Sequence, residues 1–311
     1  MPVPIPTPFL SRPFTLDEAR SVGLTRDNLK GSRFQHLYPA VYAVSDLPVD
    51  FAMRVFAAQL AVGPHSYASF ETGLNLYSVS AGNDPDVHVS TRDRNPRRIT
   101  GIVVHRHNYL GQVTVIHRCR VLSPERCLVD AANHLSLAEL VAAGDGLIAC
   151  GHTTLDMLVT FVTENHFDGI VLCRRAVELI TPGSESFRES LVRVMLELAG
   201  LPAPECNVSY GDAEFIARVD MSYRLWLVAI EYDGRQHGLS LAQRERDVRR
   251  RELMERLGWT FVIVTAAQLG RPRDIVNRVY EALRAHGYKG QRPEFTSEWC
   301  QNFERTPRFV R

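Results

Sequence analysis

Residues 225–232 read as a strand whose middle, Val228, Ala229 and Ile230, belongs in an interior, yet the acids Glu231 and Asp233 gather at its end. A third acid, Asp220, stands at the end of the strand before it, 214–220. Carboxylates at the end of an interior strand carry a desolvation cost that something cationic has to offset. A divalent metal does this. Hard oxygen donors suit Mg2+ or Mn2+, and a metal held by two or three carboxylates polarises a phosphodiester and lowers the pKa of a bound water. The two-residue period of a strand puts Glu231 and Asp233 on one face. Whether Asp220 meets them depends on register. Direct pairing of 220 with 231 centres the turn between Leu225 and Trp226, whereas Ser222-Tyr223-Arg224 is the better turn sequence, so spacing leaves the register open. His237, four residues past Asp233, is placed to serve as a general base or leaving-group acid.

The elements that would position these groups follow from periodicity. A helix over 185–199, strands over 206–210, 214–220 and 225–232, a charged helix over 244–257, a strand over 259–264 and a helix over 272–286 give the order αβββαβα. Thr181-Pro182-Gly183-Ser184 marks the boundary before it, and 287–311 reads as a tail that either packs back or hangs loosely. Upstream, 47–181 reads as an α+β middle domain ending in successive helices. Within it, strands 86–91 and 99–107 are expected to form a hairpin whose polar tip carries Arg94, Arg97 and Arg98. Between Arg92 and Arg126 stand eight arginines against two acids, a cluster suited to a phosphate backbone or to a solvated face. His105 and His107 would point to one face, but with no nearby cysteine or carboxylate cluster a metal reading is set aside.

Residues 13–46 begin with a capping box, Thr15 and Glu18. A helix to about Gly23, a second over 26–31 and an extended piece over 34–44 make a small winged helix-turn-helix. Arg26, Asn28, Lys30 and Arg33 lie on or just after its second helix, where cations can meet phosphates and an amide can read a base edge.

Composition bounds the rest. A chain of 311 residues, 45% hydrophobic, suits two or three domains rather than one. Thirty-six basic against thirty-five acidic residues leave a net charge of +1, so any basic surface must be local. Six scattered cysteines without a Cys-x-x-Cys spacing make neither a disulfide framework nor a zinc site and point to a reducing, cytoplasmic setting. The proline-rich start lacks a secretory pattern, and no apolar run reaches the length of a membrane span.

The run Val219-Asp220, Ala229-Ile230-Glu231-Tyr232-Asp233-Gly234-Arg235-Gln236-His237, Arg246-Asp247, Arg250 and Leu257-Gly258-Trp259 resembles the domain of unknown function grouped with very-short-patch-repair endonucleases. That group belongs to the PD-(D/E)xK, restriction-endonuclease-like superfamily, and the resemblance covers about residues 184–286. It implies a Mg2+-dependent DNA endonuclease fold with Glu189 as the helix-borne glutamate, Asp220 and Glu231 as metal ligands, and Asp247 and Arg250 as more than surface charges. Asp233 stands where the superfamily has lysine. Under this reading Glu189 and Asp233 support the metal or its water, and His237 moves the proton.

Residues 13–150 resemble the antitoxins of AbiEi-type, type IV toxin–antitoxin systems, through Phe14-Thr15, Glu18-Ala19, Gly23-Leu24-Thr25, Ala40-Val41-Tyr42, and the stretch from Leu122 to Arg126 followed by Leu128 to Ala132. This implies a winged-helix DNA-binding regulator in a bacterial cytoplasm, with a cognate toxin or self-association among its partners. Two functions are therefore expected: a metal-dependent endodeoxyribonuclease that docks on DNA through its front half, and an antitoxin-like regulator whose nuclease fold is inactive.

Overall fold

The capping box spelled by Thr15 and Glu18 forms in the computed structural model: the Glu18 N–H donates to Thr15 Oγ1 at 3.1 Å and the Thr15 N–H to Glu18 Oε2 at 2.7 Å. The structure describes residues 3–82, 84–94, 98–211, 216–233 and 241–304. The expected Arg97 and His237 lie outside the described residues. The chain divides into two units, Met1–His134 with Thr160–Ile170, and Leu135–Val159 with Val171–Arg311.

The first unit opens with β1 (Phe14–Thr15), α1 (Leu16–Ser21), β2 (Phe34–Tyr38) and β3 (Val41–Val44), the strands forming a small antiparallel sheet in the order β1-β3-β2. The second helix expected over 26–31 is absent; in its place is a single 3-10 turn, Asn28–Lys30. So short a segment does not carry the cost of nucleating a helix. Asn28 also competes for the backbone: its Oδ1 accepts from both the N–H and the hydroxyl of Thr25 at 2.8 Å. The proposed recognition helix is thereby corrected to one closed turn.

The unit continues with α2 (Phe51–Val62), β4 (Ser66–Ala68), α3 (Phe70–Leu76), β5 (Val87–Thr91), β6 (Ile102–Arg106), β7 (Val113–Ile116), β8 (Cys119–Leu122) and α4 (Pro124–Ala131). The five strands order as β6-β5-β4-β8-β7. β5 and β6 are parallel, Val87 beside Ile102, so the expected hairpin is also corrected. The cause is local. Ile99 bridges back to Ile102 around Gly101, whose φ of +81° suits glycine, and this reversal sends the chain along β5 rather than against it.

After α5 (Leu137–Ala149), α6 (Leu155–Glu164) and α7 (Ile170–Val177) come α8 (Phe187–Leu198), β9 (Glu205–Gly211), β10 (Ile216–Tyr223), β11 (Val228–Asp233), α9 (Leu241–Arg256), β12 (Thr260–Thr265) and α10 (Pro272–Ala285), the expected αβββαβα order. The sheet runs β12-β11-β10-β9, with β11 and β12 parallel and the other pairs antiparallel. One of its faces packs with Val192, Met195 and Leu196 of α8 and Val276, Val279 and Leu283 of α10. Ala217, Val219 and Ala229 on the other meet Met254 and Trp259. Asp145 on α5 and Arg193 on α8 form a buried ion pair at 2.7 Å. The break at Pro182–Gly183 falls inside this second unit. Beyond α10 the chain packs back: α11 (Ser297–Phe303) buries Trp299 completely, and its indole N–H donates to the Met195 carbonyl at 2.9 Å. Among the described residues no helix is long and apolar enough to cross a membrane.

Candidate functional site

The register of the second sheet decides what spacing left open. Met221 pairs with Ile230, Ser222 with Ala229 and Tyr223 with Val228, around a turn in which Leu227 takes φ +49°. Asp220 follows this ladder and stands alongside the end of β11, where its Oδ2 accepts the Tyr232 N–H at 2.8 Å. The alternation of β10 changes there: Ala217 and Val219 pack toward one face, Met221 and Tyr223 toward the other. Asp220 thus lies inside β10 at its change of face rather than at the strand's end.

Glu231 is 8% exposed, on the side of the sheet that meets α9. Its Oε1 lies 2.7 Å from Arg250 Nη2, an ion pair outside good hydrogen-bond geometry, and its Oε2 accepts from Arg251 Nη2 at 3.2 Å. Arg250 also donates to the Arg218 carbonyl. Among the described residues the Nε atoms of Arg250 and Arg251 are buried without a hydrogen-bond partner. Glu189, 6% exposed, is used by its own helix start: its carboxylate accepts from the Ser186 hydroxyl at 2.8 Å and the Glu185 N–H at 3.2 Å, with Asn207 Nδ2 at 3.4 Å. Asp233 closes β11 two residues beyond Glu231. This arrangement does not fit Mg2+ or Mn2+ at Glu231. Both carboxylate oxygens already face guanidinium nitrogens at contact distance, so the charge that was to be offset by metal is offset by arginine.

The residues of the first unit expected to touch DNA are exposed, and two of them are already engaged locally. Arg26, Asn28, Lys30 and Arg33 are exposed, but Lys30 pairs with Asp27 at 2.9 Å and Arg33 donates to the Val3 carbonyl at 2.9 Å. Arg94 and Arg98 are exposed in the connection between β5 and β6.

A second cluster went unread in the sequence. α3 opens at Phe70 with φ +53°, a left-handed conformation that costs a bulky residue on the order of 1–3 kcal/mol. Its ring stacks on His105, centroids 3.7 Å apart, and lies 5.0 Å from His134. Glu71 follows, buried, its two oxygens 3.0 and 3.2 Å from His134 Nδ1. Buried His88 places Nε2 3.0 Å from Asp84 Oδ2 and Nδ1 2.9 Å from His105 Nε2. Burial of Asp84 is outweighed by bonds from the Asp86 N–H and His88, which hold its carboxyl below the ordinary value. An ionised Asp84 accepts a proton bond from His88 Nε2, which assigns His105 as donor to His88 Nδ1. Burial, with His88, His134 and His107 as neighbours, lowers the His105 ring to about 3, so it is neutral. One ligand atom from each of Glu71, His88 and His134 lies within 4.8 Å of the other two. Only the His105–His107 alternation hinted at this in sequence, because Glu71 and His134 are 63 residues apart.

No family model matches the chain. Proteins similar to it include Uncharacterized protein MT2308 of Mycobacterium tuberculosis (strain CDC 1551 / Oshkosh) and Uncharacterized protein Rv2248 of Mycobacterium tuberculosis (strain ATCC 25618 / H37Rv). Each is 25% identical over 254 residues, covering 80% of this chain and 93% of the relative.

Proposed function

We propose that the protein is a DNA-binding regulator of the antitoxin-like kind, whose C-terminal domain, akin to restriction endonucleases in its order of elements, grips phosphate instead of cutting it. The observation that carries this reading is Glu231 held between Arg250 and Arg251. A carboxylate in that position fixes two guanidinium groups, and the parts of the Arg250 and Arg251 side chains that stay exposed, 20% and 39%, are then held ready for phosphate oxygens. Binding of this kind needs no metal and weakens with salt. In fluorescence anisotropy with a short duplex in the presence of chelator, the protein should bind, and replacing both Arg250 and Arg251 by alanine should lower the log–log salt slope by roughly two. An unchanged slope removes both arginines from the phosphate interface and the reading with them.

A further inference from the structure

We propose that Glu71, His88 and His134 form a binding site for one divalent transition metal ion of the zinc class, which His88 meets through Nδ1 while Asp84 orients the ring through Nε2; His105 Nε2, 2.9 Å from that Nδ1, releases its bond to the ring when the ion enters. The inference concerns the first unit and stands independently of how the protein meets DNA. Its basis is the donor set. Two imidazoles and one carboxylate are the ligands that borderline cations such as Zn2+ and Co2+ select, while Mg2+ and Ca2+ favour oxygen alone. The three ligand atoms already lie within 4.8 Å of one another. Ligands at about 2.0–2.2 Å from one tetrahedral ion stand roughly 3.4 Å apart, so side-chain rotations that draw the three atoms together by up to about 1.4 Å complete the site.

Charge points the same way. Glu71 is 3% exposed and Asp84 is a quarter exposed, yet among the described residues neither is bonded by a lysine or arginine. Their partners are histidines and one backbone N–H, which leaves two carboxylates in a largely enclosed setting where a doubly charged ion would balance them. The Asp84–His88 bond is the carboxylate–histidine arrangement that fixes the ring of a metal-bound imidazole. The walls are close as well. Phe70 covers His105 and His134, and Gly82 sits so near Glu71 that a Cβ there would stand 3.0 Å from its Cγ.

The probe is Co2+ added to the full-length protein after dialysis against chelator. Visible d–d absorbance should saturate at one equivalent and be abolished by Zn2+. It should carry no near-ultraviolet thiolate charge-transfer band, which separates this site from the six cysteines. Glu71→Gln and His134→Gln should lose the absorbance while keeping the far-UV circular dichroism of the parent. Asp84→Asn should weaken Co2+ binding by roughly 10- to 100-fold, as loss of an orienting partner does. Zn2+ should raise the melting temperature of the parent and leave that of Glu71→Gln where it was. His134 is partly exposed, so its variant keeps the test decisive if the buried positions do not tolerate change. The proposal is overturned by absence of the band at tenfold excess of Co2+, by a thiolate band, or by undiminished binding in Glu71→Gln.

Discussion

At the scale of residues, arginine does most of the electrostatic work in this protein. Glu231 sits between two guanidiniums, and Arg126 repeats the device in the first unit. It bonds Asp130 Oδ1 at 2.8 Å and the Tyr109 carbonyl at 3.0 Å, and lies 4.0 Å over the Phe167 ring. Asp130 Oδ2, in contrast, is buried with no hydrogen-bond partner. Burial, outweighing the pull of Arg126, raises this carboxyl to about 6. The folded protein therefore takes up a proton near pH 6, and the unfolded chain only near the ordinary aspartate value of about 3.9. Between those limits the folded state binds more protons, so this group's contribution to stability grows as pH falls from about 6 toward 4 and is flat above 7. The melting temperature of the wild type relative to Asp130→Asn should accordingly rise across that window. A difference that shrinks instead would mean that the pair stays ionised throughout. Arg126→Met, which strands the carboxylate, should cost about 3–5 kcal/mol in denaturant unfolding.

At the scale of elements, what was legible in sequence is what local chemistry specifies. The Thr15–Glu18 box and the αβββαβα order both came from signals within a few residues of the element they define. The failures have equally physical causes. Nothing in the alternation of 86–91 and 99–107 reveals strand direction, which a single left-handed Gly101 reverses. Asp220 and Glu231 stand out in sequence as acids among apolar strand residues, but Arg251, which closes the clamp on Glu231, is hidden among look-alike helix charges. The histidine cluster needed the tertiary fold to bring together α3, β5 and the residue beyond α4. Close packing between α3 and α4 can be tested directly. A Cβ on Gly73 would fall 2.3 Å from Cys127 Sγ. Gly73→Ala should lose about 1–3 kcal/mol from this overpacking. Cys127→Ala should restore much of the loss, so that a double-mutant cycle shows strong coupling and not additive costs.

At the scale of the molecule, a near-neutral total charge conceals local asymmetry, and the two units differ in what holds them. The second is closed by its own C-terminal segment. Trp299 is fully buried against a core that includes Met195, and Arg273 lies 4.7 Å from the Phe295 ring beside it. Trp299→Ala should destabilise this unit by about 3–5 kcal/mol, measured as a shift of the denaturant midpoint with unchanged slope. A variant with wild-type midpoint would show that α11 rests on the unit without supporting it. The placement of aromatic residues also has an optical consequence. All three indoles, Trp226, Trp259 and Trp299, belong to the second unit, and the first contains none. Emission excited at the red edge of protein absorption is therefore a private reporter of one half of the chain. Melting of the histidine-bearing half would pass unseen in that channel and show only in ellipticity or tyrosine signals.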